Sequence, residues 1–352
     1  MYITDFHHLK PKYKASQEQL LDWIARAHLK SGQDIRGILL KLGLGPEKIQ
    51  QRYFEVPDIF CETWAEMPIY ALDSSPHGVG LKERCLFFDR VVAEKLEEFY
   101  PENALFPSHL IHVTCTGYVA PSGAQQVVSK RKAPTAVTHA YHMGCYASLP
   151  ALRIAKGFAT PTDIVHTEVC SLHMNPSLHR VDQLVVQSLF ADGYIKYRLS
   201  DDPKKQNLKI LALHEEMIPD TLDQMTWRCE DWGHGFTLSK EIPVSIIKAL
   251  PKFLENLSEI AGKDLKRALF AIHPGGPKIL SQIGTLLGLE AHQLKDSERV
   301  LKERGNMSSA TLPHIWERIL NDTEIPSETL VTSLAFGPGL TISGGVFEKW
   351  QS

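Results

Sequence analysis

The chain has 352 residues, 43% hydrophobic and 22% charged, the balance of a globular protein long enough to bury a large core. Lysine and arginine number 38 against 41 acidic residues, a formal charge of −3, so no global field draws the chain to nucleic acid or to an anionic membrane. Six cysteines show no C-x-x-C spacing, which argues against a zinc site or a dithiol redox motif and fits reduced thiols in the cytoplasm.

The first ten residues lack the basic-then-apolar pattern of a signal peptide. Residues 2–6 alternate as a strand. Ser16 with Gln19 opens a capping box, and Leu20, Leu21, Trp23, Ile24 and Ala27 predict an amphipathic helix over 17–29. A short helix over 34–42 ends in the turn Gly43-Leu44-Gly45-Pro46, and residues 47–54 run on into a loop. A long helix is expected over 80–99, a buried strand over 110–115, a turn at 116–123 and then a helix. Thr135-Ala136-Val137-Thr138 is β-prone and leads through Gly144-Cys145 into an apolar helix. Strand 163–170, helix 180–190 and strand 194–199 follow, and such alternation argues an α/β fold.

Asp201-Asp202-Pro203-Lys204-Lys205-Gln206-Asn207 is the most polar break, which places a boundary between halves 1–203 and 204–352. The second half alternates in the same way. It reads as strand 208–213, a mixed segment to 237, helix 243–262, strand 267–272, helices 277–288, 291–305 and 308–320, and strands near 329–336 and 340–347. His214-Glu215-Glu216-Met217 lacks the second histidine of H-E-x-x-H, so no metal is expected. No apolar run reaches the roughly 18 residues that cross a bilayer, so no membrane span is expected either.

Three residues stand out for chemistry. Cys145 lies where a strand turns into a helix, and the helix N-terminus favours thiolate over thiol. Taken alone it reads as a small buried hydrophobe. His273, in Ile272-His273-Pro274-Gly275-Gly276-Pro277, ends an apolar strand, where α/β folds place chemistry. Asn306, in Gly305-Asn306-Met307-Ser308-Ser309-Ala310, precedes a small-residue helix and alone reads as an N-cap. Together they make a nucleophile and two neutral donors, the set that stabilises an enolate without protonating it early.

With Leu189-Phe190-Ala191-Asp192-Gly193 and Phe336-Gly337-Pro338-Gly339-Leu340-Thr341, these motifs occur in the order of a family. The chain resembles the type III polyketide synthases, the chalcone-synthase-like branch of the thiolase superfamily, from about residue 49 to 347. The resemblance implies a thiolase-like five-layer αβαβα fold of two similar halves, working as a homodimer. It implies acyl transfer to Cys145, then decarboxylative condensation with a malonyl-type thioester stabilised by His273 and Asn306, with His273 keeping the sulfur as thiolate. Phe190 and Phe236 match two gatekeepers between tunnel and cavity. Thr116, Met174, Trp227 and Ser308 join them at the substrate, with Gly337, Pro338 and Gly339 shaping the cavity wall. No cofactor is bound permanently; the substrates are coenzyme A or acyl-carrier-protein thioesters.

The sequence departs from the plant members in three places. The family's three cations for the coenzyme A phosphates fall on Leu39, Leu42 and Pro46, and Lys41, Lys48 and Arg52 are the cations offered instead, with Arg36 also near. The segment from Cys170 to Gly193 is short, and Leu172, Met174 and Ser177 replace more polar residues. Trp227 replaces glycine nine residues before Phe236 and shrinks or reroutes the cavity. A short polyketide, pyrone or resorcinol-type product is therefore expected. The alternatives are a primer-type ketoacyl synthase of fatty-acid synthesis, a ketosynthase joining two carrier-bound β-ketoacyl chains, a hydroxymethylglutaryl-type synthase with Glu168 as its acid, and a non-enzymatic partner of another ketosynthase.

Overall fold

The computed structural model describes residues 1–42 and 44–351. Gly43, assigned to a turn from the sequence, lies outside the described residues. The first half runs β1 (Tyr2–Leu9), β2 (Tyr13–Ser16), α1 (Gln17–Lys30), α2 (Arg36–Lys41), β3 (Gln51–Phe54), α3 (Leu81–Phe99), β4 (His109–Thr114), α4 (Gly123–Lys130), β5 (Ala136–Tyr141), α5 (Ser148–Phe158), β6 (Thr162–Glu168), α6 (Val181–Leu189) and β7 (Gly193–Ser200). The second runs β8 (Gln206–Met217), β9 (Met225–Glu230), β10 (Gly233–Leu238), α7 (Ile242–Ala261), β11 (Leu269–Ile272), α8 (Pro277–Leu287), α9 (Ala291–Arg304), α10 (Thr311–Asn321), β12 (Leu330–Gly337) and β13 (Thr341–Gln351).

Ser16 caps α1 as its sequence indicates: its hydroxyl accepts from Gln19 N–H, and the Gln19 side chain accepts from Ser16 N–H. Two pairings escape the sequence pattern. β2 and β3 form an antiparallel ladder from Tyr13↔Phe54 to Ser16↔Gln51, at residues to which the sequence pattern assigns no strand. Four-residue strands carry too little periodicity to announce themselves. The mixed segment before residue 237 is the hairpin β9–β10, in which Trp227 and Phe236 are direct cross-strand partners. Its Asp231-Trp232 connection lacks the Asn-Gly or Asp-Gly signature of a tight turn.

Nine strands form one sheet in the order β11-β12-β13-β8-β1-β7-β6-β4-β5. Strands of the first half occupy one end and strands of the second half the other. They meet at the short ladder Tyr2↔Lys209 and Ile3↔Leu208 between β1 and β8. The layers follow from strand alternation. On β4 and β6, Ile111 and Ile164 join the central core while Leu110 and Val165 face the outer core holding α1, α3 and α4. On β11 and β12, Ala271 and Ala335 face the same central core, and Phe270 and Leu334 face an outer one with α7, α8 and α9.

Two helices, α5 and α10, fill the central core between both sets of strands. Leu149, Leu152, Ile315 and Trp316 are almost wholly buried there, each contributing about 1.5–3 kcal/mol of apolar burial. The result is the thiolase-like succession helices, strands, helices, strands, helices. β4, β5 and β6 run parallel, as do β11 and β12, so within each group the C-terminal ends lie side by side. The residues just after those ends are Cys115, Cys145, Cys170 and His273. No described helix is long and apolar enough to cross a membrane.

Candidate active site

Cys145 sits between the end of β5 and the start of α5 and is 8% exposed. The turn that presents it depends on Gly144, whose φ of +83° suits glycine and whose missing Cβ would lie 2.5 Å from Pro338 Cδ. The thiol donates to Ser308 Oγ at 3.9 Å. Burial pushes the thiol up to about 12, and hydrogen bonds from Ser308 and Asn306 offset only part of that. The thiolate expected from the helix N-terminus is therefore not the resting form. A helix dipole supplies about 0.3–1 kcal/mol, whereas full burial moves a pKa by up to about 3–5 units. Alkylation of Cys145 by iodoacetamide, followed by peptide mass spectrometry, should accelerate about tenfold per pH unit from neutrality upward. A plateau near neutral pH would show an ion pair instead.

Asn306 is oriented by its own neighbours. Its Oδ1 accepts from Ser308 N–H at 2.8 Å and from the Thr311 hydroxyl at 3.4 Å, which leaves the amide NH2 for the sulfur side. Its backbone forms an isolated parallel bridge with Phe190: Asn306 N–H donates to Leu189 O, and Ala191 N–H donates to Asn306 O. One backbone contact thus fixes the asparagine beside a candidate gatekeeper.

His273 follows β11 and is 1% exposed, with its backbone N–H tied to Leu334 O at 2.8 Å. Both ring nitrogens are buried without a partner. Burial lowers the imidazole to about 3, so it is neutral and offers one donor and one acceptor. It makes no hydrogen bond to Cys145 or Asn306, so the expected role of holding the sulfur as thiolate is not seen in this state. Contacts gather Cys145, Ser308 and Asn306; His273 contributes an uncommitted ring.

A cavity with about 340 Å³ of empty space opens at Cys145, walled by Phe190, Trp227, Phe236, Ser308 and Pro338 among others. Phe190 and Phe236 meet edge to face, ring centroids 5.6 Å apart, and Trp227 meets Phe236 at 5.3 Å. Trp227 is held at both ends: its Nε1–H donates to Cys115 O at 2.6 Å, and its carbonyl accepts from His142 Nε2 at 2.7 Å. Thr116 is in the wall, but its hydroxyl is engaged by Glu168 at 3.0 Å.

The structure corrects several sequence assignments. Arg52 is 2% exposed, so it is not a phosphate contact. Its Nε donates to Gln17 Oε1, and its Nη1 to the carbonyls of Gln187 and Phe190, which pins the Phe190 segment from within. Lys41 and Lys48 are exposed. Of the Gly337-Pro338-Gly339 trio only Pro338 lines the cavity. A Cβ on Gly337 would lie 2.0 Å from the Tyr146 ring, so that glycine admits Tyr146 rather than substrate, and Gly339 turns the chain at φ +73°. Met174 lines a neighbouring cavity, not that of Cys145. Glu168, offered as an acid, is enclosed: it accepts from Cys115 N–H and from the hydroxyls of Thr116 and Ser309. Cys115, Cys170 and Met225 also stand in the wall, and no sequence motif singles them out. Positions just after the parallel strands β4 and β6 are the signal for the two cysteines.

Residues 209–349 match the family model for chalcone and stilbene synthases, C-terminal domain. The chain is 30% identical over 254 residues to "Type III polyketide synthase C" of Arabidopsis thaliana, covering 67% of this chain and 66% of that protein. It is 30% identical over 253 residues to "Probable polyketide synthase 1" of Dictyostelium discoideum, covering 67% of this chain and 8% of that protein. The matched stretch thus spans just under two thirds of the Arabidopsis relative and a small part of the Dictyostelium one. In fold, the chain is similar to PKS-I of the brown alga Ectocarpus siliculosus (TM-score 0.86, 23% identity, 99% of this chain and 98% of that one). It is equally similar to tetrahydroxynaphthalene synthase of Streptomyces coelicolor (TM-score 0.86, 22% identity, 100% of both chains). Residues 209–349 thus carry the C-terminal domain of the chalcone and stilbene synthases, the curated relatives are type III polyketide synthases, and the fold is shared with such enzymes over the whole length.

Proposed function

We propose that this protein is a condensing acyltransferase that loads an acyl group on Cys145 and extends it with a malonyl-type thioester. The observation that carries this is a buried thiol that shares its cavity with Ser308, whose backbone N–H in turn orients the Asn306 carboxamide behind the wall. In the first step the sulfur attacks the thioester carbonyl and gives up the thiol proton. The neutral His273 ring has the free acceptor to take that proton and pass it to the departing carrier sulfur, which leaves as the thiol and returns the ring to its neutral form. In the second step the malonyl unit loses CO2, and N–H donors of Asn306 and His273 stabilise the enolate. The enolate carbon then attacks the acyl carbonyl and the Cys145 sulfur leaves, giving a chain one ketide unit longer.

Lys41 and Lys48 are proposed as contacts for the coenzyme A or carrier-protein phosphate, the buried Arg52 being out of reach of one. A homodimer in the cytoplasm is part of the same proposal. The test is incubation with acyl and malonyl thioesters, on coenzyme A and on carrier protein, with product masses read. One β-ketoacyl thioester identifies a primer-type ketoacyl synthase; a lactone or ring identifies a polyketide synthase.

The narrow cavity favours a short product. Trp227 stands in the wall of the Cys145 cavity and of the neighbouring one. Trp227→Gly should join the two spaces and raise product mass by one or more ketide units; an unchanged product profile would count against the indole as the limit.

A further inference from the structure

Trp227 and Phe236 are carried by the hairpin β9–β10, a two-stranded sheet of its own apart from the nine-stranded one. A lone hairpin is marginal without further contacts. Its turn is held by α3, where Leu81 N–H donates to Asp231 O at 2.8 Å. Its middle, which walls the Cys145 cavity, is held by bonds from the segments that follow the three parallel strands β4, β5 and β6.

After β4, Cys115 O accepts from the Trp227 indole N–H at 2.6 Å. After β5, His142 Nε2–H donates to Trp227 O at 2.7 Å. After β6, His173 Nδ1 accepts from His234 N–H at 3.0 Å, while its Nε2–H donates to Thr116 O at 2.8 Å. The rings of His173 and His234 stack with centroids 4.2 Å apart, and His142 meets His234 edge-on at 5.7 Å. Of these residues His142 lies nearest the nucleophile in sequence, three residues before Cys145, and it holds a left-handed φ of +59°. A non-glycine residue keeps that backbone only where its surroundings hold it. Its ring thus ties the turn that presents the sulfur to the backbone of the cavity wall.

We propose that His142 is a specificity-determining positioning residue, which holds the Trp227 carbonyl and so fixes the indole against the Cys145 cavity and limits how far a ketide chain grows. The inference rests on the condensing role proposed for Cys145 and on the indole as the limit. The bond to Cys115 O fixes the side chain of Trp227 but not its backbone. The bond from His142 fixes the backbone, and only the two together leave the indole one place to stand. Without the ring N–H, a carbonyl on a half-buried residue has lost its donor. A shifted β9 that meets water is then favoured, and the indole moves with it.

Two amides at position 142 separate the bond from the ring. Asparagine, like histidine, is tolerated at a left-handed φ, but its N–H group is too short to reach the carbonyl; glutamine is one methylene longer and reaches it. Wild type, His142→Asn and His142→Gln are each given hexanoyl-CoA or decanoyl-CoA with malonyl-CoA, and the product masses are read. His142→Asn should raise the ratio of longer to native-length products about tenfold, the worth of one hydrogen bond lost with its acceptor left unmet. His142→Gln should keep the wild-type ratio. In a Trp227→Gly background His142→Asn should add nothing, since it acts through the indole. A wild-type ratio in His142→Asn, equal shifts in both variants, or an additive shift in the double variant overturns the inference. A second readout needs no condensation: alkylation of Cys145 by N-phenylmaleimide relative to iodoacetamide, followed by peptide mass spectrometry. That ratio should rise about tenfold in His142→Asn and stay at the wild-type value in His142→Gln; no rise in His142→Asn overturns the inference. Wild-type protein that extends no thioester refutes the condensing role, and the alkylation ratio then decides by itself whether His142 holds the wall.

Discussion

Replacing Cys145 by alanine should abolish covalent acylation and reduce condensation by at least about 10⁴-fold, the scale seen when a nucleophile is removed from a cooperating set. Two other thiols line the same cavity, so the outcome is not trivial. Cys115 already accepts Gly144 N–H on its sulfur at 3.0 Å. Burial raises both Cys115 and Cys170 well above the ordinary thiol range, and the neighbouring Glu168 carboxylate raises them further. Cys145 has both Ser308 and Asn306 beside it to ease its ionisation, whereas Cys115 has Ser308 but not the carboxamide. Intact-mass spectrometry after incubation with an acyl thioester should show one adduct on the wild type and none on Cys145→Ala. An adduct of unchanged yield on Cys115 or Cys170 would move the nucleophile.

The second large effect concerns decarboxylation. Asn306→Ala should slow release of CO2 from a malonyl thioester by about 10²–10³-fold, the usual cost of losing an oxyanion donor. The fold should survive, because the bridge to Phe190 is made by backbone and not by the carboxamide. Asn306→Asp should lose at least as much: it keeps the acceptor for Ser308 and Thr311 but sets an anion against the developing enolate. His273→Ala should be comparably slow, and His273→Gln should recover part of the rate by restoring an N–H. Labelled CO2 release measures all four. A wild-type rate in Asn306→Ala would remove the carboxamide from the chemistry.

The architecture was largely legible in the sequence, because long elements with a 3.6- or two-residue period need nothing but their own residues to declare which face is apolar. α3, α7 and α9 lie within a residue or two of their expected ranges. The short ladder β2–β3 and the hairpin β9–β10 did not declare themselves, since their pairing supplies the regularity that their residues lack.

At the site, the order of residues tells which reactive side chains the chain owns: Cys145, His273 and Asn306, with Phe190 and Phe236 between the first two. Their electrical state and surroundings come from packing. A cysteine before a helix reads as a thiolate on paper, but desolvation depends on every atom packed around it, and here it outweighs the dipole. An arginine near a carrier-binding segment reads as a phosphate contact, yet Arg52 faces inward to hold the backbone at Phe190. Charge, exposure and the partner of each donor are properties of a packed environment assembled from distant segments, and no local stretch of sequence encodes them.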